Sequence, residues 1–147
     1  MNHSPHQDPA LLAAARARFA GDRYATEVTG CEIAAVAPGY ARCRMAITPA
    51  HRNALGIVMG GAIFTLADFT FAVASNTGFP DTVSVDATVH YLTAARGDVL
   101  TAESVAEKNG RRSCVYRIVI TDDTGIHVAD VTPTRSEERR VGKECRS

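Results

Sequence analysis

Gly60–Asn76, GGAIFTLADFTFAVASN, is the stretch whose reading decides the fold. Its pattern predicts a helix that is apolar almost all round, with Asp68 as its only charge. Such a helix belongs in the middle of a domain, not on its surface. Upstream, Cys31 to Val36 and Tyr40 to Ile47 read as strands flanking Pro38-Gly39, a pair suited to a type II turn. Downstream, Val83 to Leu92, Asp98 to Lys108, Ser113 to Thr121 and Ile126 to Val131 are strand-like. Asn109-Gly110 is a two-residue hairpin signal, and Asp122 to Gly125 makes a further turn. Before all of these, Asp8 and Pro9 introduce a helix over Ala10 to Ala20, with Gly21 placed for its C′ position. Helix, two strands, buried helix and four strands imply an α+β fold, an antiparallel sheet wrapped around one central helix.

Size and charge narrow the function. The 147 residues suit one core, and 46% hydrophobic with 22% charged residues argues against disorder. Sixteen basic residues balance sixteen acidic ones, so no global field recruits nucleic acid or an anionic membrane. No positively led apolar leader is expected at the N-terminus. Leu55 to Phe79 is apolar but carries Asp68, and a central Asp costs a membrane span about 2.5–3.5 kcal/mol. Cys31, Cys43, Cys114 and Cys145 are widely spaced, which reads as reduced thiols in the cytoplasm. The expected organisation is an N-terminal segment with a short helix over 1–25, a domain over 26–134, and a separate tail over 135–147. That tail, RSEERRVGKECRS, holds eight charges in thirteen residues and resembles a sequencing adapter read as codons. A solvated native tail is the alternative.

Asp68 is the only charged residue between Arg52 and Asp81. A carboxylate in a buried helix is tolerated for a structural ion pair or for chemistry. Gly60-Gly61 lets another group approach the free N–H groups at the helix start, where the dipole favours developing negative charge; close packing is the alternative. Eight residues separate Gly60 from Asp68, about 12 Å along the axis. One helix cannot aim both at the same carbon, so a shared site requires two copies of the chain.

Asn53–Asp68 (NALGIVMGGAIFTLAD), Val83–Leu92 (VSVDATVHYL) and Gly97-Asp98 together resemble the PaaI-like hotdog thioesterases, from about Tyr24 to Val131. The resemblance implies hydrolysis of an acyl- or aryl-CoA thioester, with no metal or bound cofactor, by dimers often paired into tetramers. It makes the Gly60 N–H the donor to the thioester oxygen and Asp68 of the other subunit the general base or nucleophile. Asn53 would place substrate or water, and Ser84 would assist water on the Asp68 side. Met59 stands where the family usually has His, which removes an imidazole but leaves the backbone donor. Met59, Gly61 and Phe64 are expected beside the substrate, and Phe69, Phe71 and Tyr91 are further candidates for the acyl pocket, with ordinary helix and strand core the equal alternative for Tyr91 and each Phe. Arg96, Lys108, Arg111 and Arg112, at strand ends and turns, could meet CoA phosphates or simply be solvated.

Other constellations are weaker. Ser84, Asp86 and His90 share a strand face, but Ser84 and His90 lie about 20 Å apart, too far for a triad. The opposite face, Val83, Val85, Ala87, Val89 and Tyr91, reads as core. Cys31, Cys43 and Cys114 read as packing thiols, and His51, His90 and His127 lack ligand spacing. The rival function is a non-catalytic acyl-CoA-binding hotdog module, which has no use for Asp68. A hotdog hydratase would need an Asp paired with a His before the helix, and His51 has none.

Overall fold

A computed structural model describes residues 6–109 and 114–137. The chain runs through α1 (Pro9–Phe19), β1 (Cys31–Ala37), β2 (Tyr40–Ala46), α2 (Gly60–Asn76), β3 (Thr82–Tyr91), β4 (Val99–Asn109), β5 (Cys114–Asp122) and β6 (His127–Glu137). The six strands form one antiparallel sheet in the order β1-β2-β4-β5-β6-β3. The sheet curls around α2, whose Leu66, Ala67, Thr70, Val73 and Ala74 lose all contact with solvent. Facing them are Cys43 and Met45 of β2, Leu100 and Ala102 of β4, Ile118 and Ile120 of β5, and Val131 of β6. Polar groups on this helix are satisfied locally: the Thr70 hydroxyl donates to Leu66 O at 2.7 Å.

Local signals set the ends of the elements. Asp8 caps α1 by accepting from Ala10 N–H at 2.9 Å, and Pro9 opens the helix. Pro38-Gly39 joins β1 to β2, Gly39 having φ 73°, as a type II turn requires. Arg18 ties α1 to the far end of α2 by donating to Asn76 O at 2.9 Å and pairing with Asp81. The cation thereby meets the negative end of the α2 dipole. Asn76 Oδ1 accepts Thr82 N–H at 2.7 Å, which starts β3.

Several expectations change. Gly21 does not take a left-handed conformation; the chain passes instead into a short π-helical segment, Tyr24–Thr29, which ends at Gly30 with φ 84°. A single turn of tight helix, Pro49–His51, precedes α2. Asn109 is itself paired, with Cys114, so four residues separate the two strand ends rather than the two of an Asn-Gly hairpin. Val83, Val85 and Tyr91 are exposed rather than core. A bulge between Ser84 and Asp86 breaks the alternation, so Val83 faces away from Ala87 and Val89, which stay half-buried, while Tyr91 stands at the strand's end. Finally, β6 continues three residues beyond Thr134, pairing Arg135 with Ser84 and Glu137 with Thr82, and Arg135 lies over the Phe79 ring.

The turn between β5 and β6 clamps the β3–β4 connection. Asp122 accepts from the N–H groups of Arg96, Gly97, Thr124 and Ile126 and from the Thr124 hydroxyl. The Thr124 bond, with the three backbone bonds behind it, holds the buried Asp122 carboxyl well below the usual carboxylate range. A depressed carboxylate stabilises the fold above its unfolded pKa of about 3.9 and ceases to as pH falls toward the folded value. Thermal unfolding followed from pH 7 to pH 2 will therefore show Tm falling below about pH 4, and less steeply in Asp122→Asn. Gly97 has a second constraint. A Cβ there would collide with Asp123 Oδ1, which is committed to Asp98 and Val99 N–H. Gly97→Ala will lower stability by about 1–3 kcal/mol, read as a shift in denaturant midpoint at constant slope.

Candidate active site

The loop before α2 is a compact scaffold for the helix head. Asn53 Oδ1 accepts Leu55 N–H at 2.9 Å and Ile57 N–H at 3.4 Å, and Asn53 N–H donates to Ile57 O at 2.9 Å. These bonds turn the chain back so that Arg52 bridges Val58 and Met59 N–H reaches His51 O at 2.8 Å. Met59 then occupies the N-cap position with no side-chain cap. Met59 O accepts from Ala62 and Ile63, but Gly60 and Gly61 N–H have no partner among the described residues. Two unpaired donors at the positive end of a helix favour a developing oxyanion. The Asn53 amide nitrogen likewise remains free for a ligand among the described residues.

Tyr91 covers the other side of this head. Its hydroxyl donates to Gly60 O at 3.0 Å, and a Cβ on Gly60 would stand 3.0 Å from its ring. Glycine at 60 is thus explained by close approach as well as by an open donor. The sequence placed Tyr91 among possible pocket residues but held no signal for this bond, which joins the end of β3 to the start of α2. His51, whose ring ties the same loop to Thr29, was also missed as a site-building residue. The signal available was Thr48-Pro49-Ala50-His51, a capping box with His in the place of Glu.

Asp68 lies elsewhere on the helix and is exposed in the protomer, contrary to the buried carboxylate expected. The sheet covers only part of the helix circumference. Gly61, Phe64, Thr65, Asp68 and Ala72, spaced three or four apart, form the stripe it leaves fully or partly open. Surrounding protein still desolvates the carboxylate, and Asp22 adds a like charge, so its pKa is raised above the ordinary value. No described basic side chain pairs with it, which removes the structural ion pair from consideration within the protomer.

The remaining residues divide between places. Ser84 is exposed, and its hydroxyl reaches only Asp86 O, at 3.4 Å, beside a bulge in β3. Seven residues of strand place it about 23 Å from Tyr91 and so from the Gly60 end. Asp86 accepts from the Thr134 hydroxyl, and His90 is exposed. Arg96 donates its backbone N–H to Asp122 and leaves its guanidinium in solvent. Arg111 and Arg112 lie outside the described residues, as does the Lys108 side chain. Phe71 packs against Tyr116 in the core, and Phe64 is half-buried. Phe69 stacks edge-on with Phe19 and lines a cavity of about 440 Å³ with Arg16, Thr26, Cys31 and Ile33. Burial pushes the Cys31 and Cys43 thiols up to about 12, keeping them protonated packing groups. Among the described residues there is no cluster able to hold a metal, and no helix is long and apolar enough to cross a membrane.

Comparison with known proteins places the fold. The thioesterase superfamily model matches residues 55–129. The acyl-coenzyme A thioesterase PaaI of Escherichia coli is 30% identical over 129 residues, covering 87% of this chain and 89% of that protein. The structure of E. coli PaaI matches with a TM-score of 0.74 at 27% identity, over 86% of this chain and 95% of that one. A Streptococcus pneumoniae hypothetical thioesterase solved with coenzyme A matches with a TM-score of 0.71 at 25% identity, over 80% and 94% of the two chains.

Proposed function

The chain belongs to the thioesterase superfamily as a PaaI-like hotdog protein, and from that premise we propose that it hydrolyses acyl- or aryl-CoA thioesters in the cytoplasm as a homodimer. The observation that carries the reading is the pairing of two incomplete halves: an unpaired donor at Gly60 and a lone carboxylate on the uncovered stripe of the same helix. They stand about 12 Å apart along the axis, so each needs the other from a second copy. Coenzyme A in the S. pneumoniae neighbour and the activity of the E. coli relative support the substrate class.

In this mechanism the thioester carbonyl oxygen accepts from Gly60 N–H of one protomer. Asp68 of the partner subunit removes a proton from water, which attacks the carbonyl carbon; collapse of the tetrahedral intermediate breaks the C–S bond and releases CoA thiolate, which takes up a proton. In the nucleophilic form Asp68 attacks first, expels the thiolate and leaves a mixed anhydride that water opens. Asn53 Nδ2 orients the acyl group or the water, Ser84 assists water on the Asp68 side, and Arg96 meets the CoA phosphates. Met59, Gly61 and Phe64 border the acyl chain. Nothing in this sequence of steps needs the imidazole that Met59 replaces, because the oxyanion donor is backbone.

An exposed apolar surface supports the dimer. Val83 and Val85 near the start of β3, Tyr91 and Leu92 at its end, and Leu55, Ile57 and Met59 of the loop before α2 are all exposed. A strand with a free edge and this much apolar surface is a template for a second copy. Val85→Lys will leave a folded monomer with hydrolysis lost, as read by sedimentation and thiol release at matched concentration.

The functional test is thiol release from short-chain, medium-chain and aryl-CoA esters. Turnover of at least one class is the expected result. Tight binding of CoA esters with no thiol released would instead make the protein an acyl-CoA-binding module.

A further inference from the structure

The loop that carries Asn53 is pinned by one side chain the mechanism above does not use. His51 Nδ1 lies 2.9 Å from Thr48 N–H, which has only its proton to offer, so Nδ1 is the acceptor. The ring proton then sits on Nε2, and Nε2–H donates to Thr29 O at 2.7 Å. Thr29 is buried and closes the π-helical segment just before β1. The backbone carbonyl of His51 itself accepts Met59 N–H at 2.8 Å, one residue before Gly60. Through its ring and its carbonyl, His51 therefore connects three pieces of chain: the turn at Thr48, the buried end of the π-helical segment, and the stretch of loop leading to the helix head. Val58 seats this loop in the core, and the ring of His51 makes its only long-range side-chain hydrogen bond among the described residues.

We propose that His51 is a positioning residue, which acts through Met59 and Gly60 to hold the oxyanion donor where the thioester oxygen must sit. The inference rests on Gly60 being that donor. A shift of about 1 Å in such a donor costs on the order of 100-fold in rate, so an anchor far from the reacting atoms can govern kcat. The two ring nitrogens have separable substitutes. His51→Asn places an oxygen near Nδ1 and keeps the Thr48 bond but cannot reach Thr29. His51→Gln places an amide nitrogen near Nε2 and keeps the Thr29 bond.

The experiment measures thiol release and Tm for His51→Asn, His51→Gln, Gly60→Pro and the double variant His51→Asn/Gly60→Pro. His51→Asn is expected to lower kcat about tenfold to 100-fold with KM changed less than about threefold. His51→Gln should recover most of that loss. The double variant should be no slower than Gly60→Pro alone, because the anchor has nothing left to position. Wild-type kcat in His51→Asn, or losses that multiply in the double variant, would overturn the proposal. Full activity in Gly60→Pro would instead overturn the donor reading beneath it.

Discussion

Asp68→Asn is expected to lower kcat for CoA-thioester hydrolysis by about 10²–10⁴-fold, the range spanned by loss of a positioned general base. A nucleophilic role predicts a loss at least as large. The substitution is nearly isosteric, and Asp68 has no described ion pair or hydrogen bond to lose. Stability should move the other way. Desolvation and the neighbouring Asp22 raise the folded pKa of Asp68, so the folded state disfavours the charged form at neutral pH. Asn removes that charge, and Tm at pH 7 should be unchanged or higher. The same shift sets a pH limit: kcat/KM should fall on acidification with a midpoint above the ordinary carboxylate value of about 3.9. A variant that lost activity because it unfolded would lower Tm, so the two measurements separate chemistry from fold.

The second large effect isolates a single N–H. Gly60 is the first residue of α2, where proline is well tolerated because that N–H makes no intrahelical bond. Met59 already has φ −62° and ψ 138°, the extended conformation a residue before proline adopts. Gly60→Ala keeps the donor and adds a Cβ 3.0 Å from the half-exposed Tyr91 ring. Gly60→Pro adds the same Cβ and removes the donor. Their ratio cancels the crowding, and kcat for the proline variant should lie about 10²–10³-fold below that of the alanine variant. Equal rates in the two would show that the backbone N–H of residue 60 does not touch the oxyanion.

Much of this architecture is legible in the chain itself. The bounds of α2 follow from an apolar run that opens on Gly60-Gly61, and α1 follows from Asp8 and Pro9. Strand positions follow from alternation and turn residues. What alternation cannot reveal is where a bulge breaks it. Val83, Val85 and Tyr91 have the pattern of a core face, but the bulge between Ser84 and Asp86 splits that face, and Tyr91 stands at the strand's end. A lone charge in an apolar helix marks Asp68, whereas its exposure depends on how much of α2 the sheet surrounds. The Tyr91 bond to Gly60 and the His51 bond to Thr29 join residues far apart in sequence, so local pattern carries no trace of either.

The most direct test of a site shared between subunits mixes two inactive proteins. Asp68→Asn and Gly60→Pro chains are refolded together in equal amounts, and thiol release is compared with each alone. Random pairing makes half the dimers mixed, and each mixed dimer holds one site with both Gly60 and Asp68 intact. Activity should recover to about a quarter of the wild-type value per site. A mixture no more active than its components, with mixed dimers shown to be present, would contradict a site built across two subunits.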